Sequence, residues 1–372
     1  MRVLQVLPAL HSGGVERGTV EFAGELVRRG HESIVLSSGG PLVKQLEKQG
    51  STHITRPVHR KSLRSFGQIR PVRTLLRELR PDIVHVRSRM PAWILYLAWR
   101  GLPRHDRPAL VATFHGMYSV NPYSAVMAKA EQLIAVSNCV EHYVKNSYGV
   151  APERLTVIQR GVDVDGFRKA RLDPDWLERL FTQQPQLRDK RLLLMPGRIS
   201  RWKGQLQFLE VMARITRQRP ECHGLVVGGV EPGKDRFMKE LEQRRRELDL
   251  EAKVTFLGQR SDMSELYLAS DLVCHMSTKP EPFGRTVTEA LACGTPVVAF
   301  DRGGAAETLR ACFPEGLVAP DDTEAFARQA MALLDQAEYH IRLPRRFRLD
   351  AQVEATLAVY QRALDERASS TP

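Results

Sequence analysis

Two carboxylates, Glu281 and Glu289, flank a Phe283-Gly284 pair in the stretch PEPFGRTVTEALACGTPVVAF, residues 280–300. An ionised carboxylate only accepts hydrogen bonds, so such a pair suits a ligand rich in hydroxyls, which it can orient without attacking. A local role competes for one of them. Thr286-Val287-Thr288-Glu289 matches a capping box, in which the glutamate reaches back to the Thr286 backbone N–H and stabilises the helix start. Glu281 has no such explanation. Gly294 is placed to close the helix before the strand PVVAF.

Three further loops hold residues suited to anions or proton chemistry. In PGRISRWKG, residues 196–204, Arg198 and Lys203 precede a helix beginning near Gly204, and two cations beside a helix start can clamp a diphosphate. Ordinary solvated surface charge is the alternative. In HSGGVE, residues 11–16, Gly13 and Gly14 let backbone N–H groups approach an anion at a helix start, although a tight turn accounts for the pair equally well. The spacing is not that of the G-x-G-x-x-G dinucleotide fingerprint. In TFHG, His115 ends an apolar run and is followed by Gly116, so its ring reads as either a cleft-facing group or a structural histidine.

These residues need a scaffold that brings strand ends together, and the rest of the chain supplies one. RVLQVL, SIVLS, DIVHV, ALVATF, QLIAV and LTVIQ alternate with helical patterns, which implies βαβ units and a parallel sheet. The rhythm breaks in RLDPDWLERLFTQQPQLRDK, residues 171–190, and resumes with RLLLMPG, GLVVGG, KVTFLG, DLVCHM and TPVVAF. The expected fold is therefore α/β with two Rossmann-like domains, residues 1–170 and 171–345. A last helix, about residues 348–367, is free to pack on either domain. All four candidate loops then follow strand ends, where doubly wound sheets bind ligands.

A chain of 372 residues with 42% hydrophobic content is long enough for two such cores. The longest apolar run, PAWILYLAW, is about half the roughly 20 residues that cross a bilayer, so it reads as a buried helix. The start, MRVLQVLPAL, lacks a cleavage-site pattern, and the expectation is a cytoplasmic chain. Five scattered cysteines with no Cys-x-x-Cys read as core residues in a reducing compartment.

Charge is uneven: residues 51–110 carry +10 of the formal net +12. Arg70, Arg73, Arg77 and Arg80 recur at helical spacing, either as a solvated face or as a surface for anionic lipid, to which each cation contributes about 1 kcal/mol. Nucleic acid is the rival partner. The stretch lacks a recognisable binding pattern and interleaved aromatic platforms, so no specific nucleic acid is expected.

Taken together, Glu281 and Glu289 around Phe283-Gly284, the following EALACGTPVVA, the HSGGVE glycines, the TFHG histidine, Gly161-Val162-Asp163 and the Gly197-Arg198 with Lys203-Gly204 pairs resemble the retaining glycosyltransferases of family 4. The resemblance spans most of the chain. It implies the GT-B fold, two Rossmann-like domains facing each other across a cleft, with the last helix crossing back to the first. It also implies that Arg198 and Lys203 hold the donor diphosphate, with Gly13 and Gly14 helping. Glu289 would bind the ribose. Glu281 and the backbone around Phe283, Gly284 and Arg285 would hold the donor sugar and its phosphate, and His115 would contact the sugar near the reacting carbon. Two positions depart from the family pattern: Arg160 stands where Asn is frequent, and Arg285 where a small or aliphatic residue is frequent, which makes Arg285 a candidate reader of an extra anionic group.

Asp163-Val164-Asp165 mimics the D-x-D metal motif of another glycosyltransferase fold, but it falls in the family's Gly-Val-Asp segment, so no metal and no cofactor are expected. The implied activity is transfer from a nucleotide-diphospho-sugar, UDP-linked by family frequency, to a glycolipid or lipid-linked saccharide such as the lipopolysaccharide core. The implied location is the inner face of the cytoplasmic membrane, with residues 51–110 against the anionic surface. An epimerase or hydrolase of the same architecture, or a basic nucleic-acid-binding protein, are the alternatives.

Overall fold

In a computed structural model of the chain, which describes residues 1–11, 13–60, 62–169, 171–230, 233 and 235–369, two α/β units are present. Ser12 of HSGGVE, Lys61 of the basic stretch, Ala170 at the expected boundary and the last residues of the ASSTP tail lie outside the described residues.

The first unit holds β1 (Arg2–Val6), β2 (Glu32–Ser37), β3 (Thr52–Thr55), β4 (Ile83–Val86), β5 (Ala109–Phe114), β6 (Gln132–Ala135) and β7 (Leu155–Val157). They form a parallel sheet in the order β3-β2-β1-β4-β5-β6-β7. Both faces are covered by helices, which is why β4 and β5 are buried along their whole length and read as continuous apolar runs. The helix Leu349–Ser369 belongs to this unit. It buries Val353, Val359, Tyr360 and Ala363 in one cluster with Val3, Phe22, Leu26 and Ile83. The Tyr360 hydroxyl lies 2.6 Å from His85 Nδ1, and His85 Nε2 lies 2.6 Å from the Thr113 hydroxyl, so a polar bridge runs from that helix into the sheet.

PAWILYLAW lies in the helix Arg89–Arg100, which buries Met90, Ile94, Leu95 and Trp99. Among the described residues no helix is long and apolar enough to cross a membrane. The arginine-rich stretch forms the helix Ile69–Leu79, which turns Val72, Leu75 and Leu76 inward while Arg70 and Arg77 stay exposed. Arg80 ends it in the left-handed region (φ 43°). Arg73 departs from the solvated-face pattern, being half-buried with its Nε shielded and without a hydrogen-bond partner.

The second unit holds β8 (Arg191–Pro196), β9 (Cys222–Val227), β10 (Val254–Gly258), β11 (Leu272–His275), β12 (Val297–Phe300) and β13 (Leu317–Val318). Its parallel sheet runs β10-β9-β8-β11-β12-β13. Both sheets thus reverse direction beside their first strand, between β1 and β4 and between β8 and β11, and such a switch point opens a crevice at the strand carboxyl ends.

The division between the units falls at Gly161/Val162, nine residues before the expected boundary, and again before Leu349. Packing explains the difference. Val162 donates to the Phe347 carbonyl at 2.9 Å, and Val162 and Val164 cluster with Ala292 of the second unit. Gly161 donates instead to Gln352 of the last helix at 2.6 Å. The strandless stretch is occupied by the helix Pro174–Gln183, capped by Asp173 and tied down by Trp176 Nε1 donating to Asp262 at 2.7 Å.

Candidate active site

At the second unit's switch point the loops after β8 and β11 are stitched together. Gly204, at φ 87°, ends the turn Arg201–Lys203 against the Met276 backbone, an approach that leaves no room for a Cβ. Thr278 N–H donates to the Trp202 carbonyl at 2.8 Å. Buried Gln205 donates to the Arg198 carbonyl at 3.0 Å, which fixes the loop while the Arg198 side chain remains exposed. Arg201, by contrast, is paired with Glu240 and stacked over Phe237.

That stitching carries Lys203 to Glu281. The lysine and the Ser277 hydroxyl both donate to Glu281 Oε1, and His275 Nε2 stands 3.5 Å from the same oxygen. Glu281 is only 7% exposed, and burial alone would favour its neutral acid. The charges of Lys203 and His275, with the hydrogen bonds from Lys203 and Ser277, outweigh burial and hold the carboxyl below its ordinary range. A buried carboxylate is thus kept ionised in the loop after β11.

The Glu281 backbone is fixed as firmly. Gly304 N–H donates to the Glu281 carbonyl at 2.7 Å, and Glu281 bridges Gly303 at the start of the helix Gly303–Cys312. Gly303 takes φ 66°, where a Cβ would stand 2.6 Å from Glu281 N. Phe283 is buried near Phe347, with ring centroids 6.3 Å apart. Two helix N-termini, at Arg285 and at Gly303, therefore flank the Pro280–Gly284 turn, and each presents backbone donors and the positive end of a dipole.

The capping-box reading of Glu289 is overturned. The helix Arg285–Ala292 starts from Gly284 in the left-handed region (φ 80°), with no side-chain cap, so Thr286 lies inside the helix and has no cap role to share. Glu289 accepts instead from Tyr267 Oη at 3.1 Å and from Arg285 Nε at 2.5 Å, one turn back. All three side chains are largely buried. Burial and the Glu289 charge push the Tyr267 phenol well above its ordinary range, so it remains a donor. Gly294 takes φ 85° after the helix, as the spacing predicts.

In the first unit, Gly13 caps the helix Gly14–Arg28 with extended backbone (φ −82°, ψ 164°) and Gly14 opens it. The Gly14 carbonyl accepts from Arg160 Nη2. His115 directly follows β5, half-buried, with both ring nitrogens shielded from solvent and no hydrogen-bond partner for either. Burial, then the charges of Arg160, Arg87 and His85, hold its imidazole well below the ordinary range, so it is neutral near pH 7.

Asp163 and Asp165 do not converge. Asp163 accepts from Gly166 N–H at 2.9 Å at the start of the helix Val164–Lys169, while Asp165 pairs with Arg348 at 2.7 Å. All five cysteines are free thiols, and burial raises Cys222 to about 11.

Comparison with known proteins assigns both halves. The pattern of the family described as "Glycosyltransferase Family 4" matches residues 12–165, and that of "Glycosyl transferases group 1" matches residues 178–350. A crystal structure of a glycosyltransferase from Rickettsia africae ESF-5 is 32% identical, with 98% of each chain covered and a TM-score of 0.84. The chain belongs to the group 1, family 4 glycosyltransferases. A second solved structure, Anabaena Alr3699/HepE in complex with UDP and glucose, covers 99% of this chain and 100% of its own, at 24% identity and a TM-score of 0.77. The D-inositol 3-phosphate glycosyltransferase of Kineococcus radiotolerans is 30% identical over 66% of this chain, a match spanning 60% of that enzyme's length.

Within this glycosyltransferase, Lys203 and Glu281 form one pair, the turn carrying Phe283 and Gly284 follows Glu281 into the next helix, and Arg285 pairs with Glu289 on that helix. Arg198 stands on the same loop as Lys203 but outside the charge pair. Gly13, Gly14 and His115 lie in the first unit. Sequence reasoning missed Ser277, His275 and Tyr267, which add to the Lys203 and Arg285 contacts of the two glutamates, and Arg87, whose charge acts on His115. Arg87 immediately follows β4, whose end meets that of β1, a neighbourhood that only the strand order reveals.

Proposed function

We propose that this glycosyltransferase moves a sugar from a UDP-linked donor to a lipid-linked saccharide of the lipopolysaccharide-core type, with retention at the anomeric carbon and without a metal ion. The observation that carries the donor part is the charge layout after β8 and β11: an ionised, buried Glu281 beside Lys203, flanked by two helix N-termini. Breaking a sugar–diphosphate bond leaves negative charge on phosphate, which Arg198, Lys203 and the helix N-termini at Arg285 and Gly303 would stabilise. Glu281 accepts from sugar hydroxyls and Glu289 from those of the ribose. The Anabaena relative's structure with UDP and glucose supports the choice of nucleotide.

The acceptor and membrane parts rest on the first unit. Its basic stretch keeps Arg70, Arg77 and Arg80 exposed, and the large hydrophobic side chains most exposed among the described residues, Phe66 and Val120, both belong to it. That surface supports a peripheral position at the inner face of the cytoplasmic membrane.

The test is incubation of the purified chain with UDP-glucose or UDP-galactose and a deacylated core oligosaccharide, reading the new anomeric signal by proton NMR. An α-linked product from an α-linked donor supports the reading. Donor consumed without acceptor would indicate an epimerase or hydrolase. Loss of turnover with EDTA and rescue by manganese would refute the metal-free part, and equal binding to neutral and anionic vesicles at low salt would remove the membrane part.

A further inference from the structure

The first unit carries a second charge cluster, opposite in sign to Glu281 and with a different architecture. Arg87 follows β4 directly, His115 follows β5 directly, and Arg160 lies three residues beyond β7. Arg87 is 4% exposed, with its Nε shielded from solvent and without a hydrogen-bond partner. Its guanidinium lies over the Phe22 ring, 5.4 Å from the centroid. No carboxylate among the described residues pairs with it. Burial lowers Arg87 to about 10, which still leaves it charged at neutral pH.

A buried guanidinium without a carboxylate is costly, by several kcal/mol after relaxation, and such a cost is normally met by an anionic partner. His115, directly after the strand paired with β4, adds two shielded, unpartnered ring nitrogens. Arg160 lies against helix Gly14–Arg28, which makes room for it. Gly18, inside that helix, is the position where a Cβ would collide with Arg160 Nη2. A mid-helix glycine costs about 1 kcal/mol relative to alanine, and here it admits a guanidinium. Gly14, the exposed first residue of the same helix, accepts from that guanidinium. Arg160 and Arg87 thus lie against one face of that helix a turn apart, at Gly18 and at Phe22, and the charges of both act on His115.

We infer that Arg87, His115 and Arg160 form an oxyanion subsite that reads a phosphate or carboxylate carried by a substrate saccharide. Oxyanion binding stands on the cluster alone, and only the word saccharide rests on the sugar-transfer reading. Guanidinium groups match the planar fork of such oxyanions, and a neutral His115 donates through one nitrogen. The oxyanion comes either from the acceptor, as a phosphorylated or acidic sugar, or from the donor diphosphate.

Calorimetric titration of the full chain with glucose 6-phosphate, glucuronate, glucose and UDP separates these cases. The inference expects binding of the two anionic sugars, none of glucose, and at least tenfold weakening by Arg87→Gln and by Arg160→Asn. If UDP and glucose 6-phosphate bind together and Arg87→Gln leaves UDP affinity unchanged, the oxyanion belongs to the acceptor. If UDP displaces the sugar phosphate and is itself weakened by Arg87→Gln, it belongs to the donor. Imidazole nitrogen shifts of His115, followed by NMR in the native chain, should move on adding glucose 6-phosphate, a readout that survives if a variant fails to fold. No binding of either anionic sugar, or binding that both variants and the His115 signals ignore, overturns the inference. Absence of transferase activity with retained anion binding would count against the sugar-transfer reading alone.

Discussion

Lys203→Met isolates the charge pair at the heart of the second unit. The lysine is partly accessible, with 20% of its side chain exposed, whereas that of Glu281 is 9% exposed. Removing Lys203 leaves a buried carboxylate with Ser277 and His275 alone, and breaking such a pair from one side costs about 3–5 kcal/mol. Glu281→Gln costs less, about 1–2 kcal/mol, because the amide oxygen still accepts from Ser277 and the lysine can turn to water. The double variant should lose less than the sum, with a coupling of at least about 1 kcal/mol. Native-state hydrogen exchange of the β11 and β12 amides reads the second unit directly. UDP titration then divides the two roles of the lysine. If Lys203 also grips the diphosphate, Lys203→Met should weaken UDP at least tenfold, about 1.4 kcal/mol, while Glu281→Gln leaves UDP affinity intact or raises it. Additive stabilities would refute the pairing argument, and loss of UDP affinity in Glu281→Gln alone would refute the division of labour.

Tyr267→Phe removes one of the donors to Glu289 and should cost about 1.5–3 kcal/mol of stability, as for a hydrogen bond to a charged group. It should also weaken uridine binding, and a variant that loses stability but binds uridine normally would separate Glu289 from the ribose. Gly204→Ala, at φ 87° with the Met276 carbonyl where the methyl must go, should disrupt the loop and lower UDP affinity together with thermal stability. An unchanged melting temperature would refute that account. Acid should weaken the second unit through His223, whose imidazole is lowered to about 4, by burial first and then by Lys190 and Lys253. Its unfolded form binds a proton below about pH 6.5 while the folded form stays neutral, so the stability present above 6.5 falls as pH drops toward 4. Allowing for solvent screening, the loss is roughly 2 kcal/mol, and urea midpoints of His223→Gln should show a flatter acid slope; an identical slope would exclude His223 as the cause.

How much of this was visible beforehand follows from what each residue interacts with. The central strands were legible because a strand buried on both faces is a run of apolar residues, as in β4, β5, β11 and β12. The edge strands β3 and β13 were missed: the first mixes polar and apolar residues, and the second is two residues long. The helix after Phe283 was placed correctly, but its start was read from threonines when backbone geometry at Gly284 sets it. Arg87 looks like any surface arginine until the strand order brings the ends of β1 and β4 together.

The paired charges are the sharpest case. Lys203 and Glu281 are 78 residues apart, and under the proposed function one would serve phosphate and the other hydroxyls. Folding brings them into one hydrogen bond, so each charge lowers the desolvation cost of burying the other. A diphosphate that drew Lys203 away would leave Glu281 to Ser277, His275 and whatever hydroxyls arrive with the same ligand. Under the proposed function, binding of phosphate and recognition of sugar would then be coupled through one proton-bearing contact, which no spacing rule along the chain could have revealed.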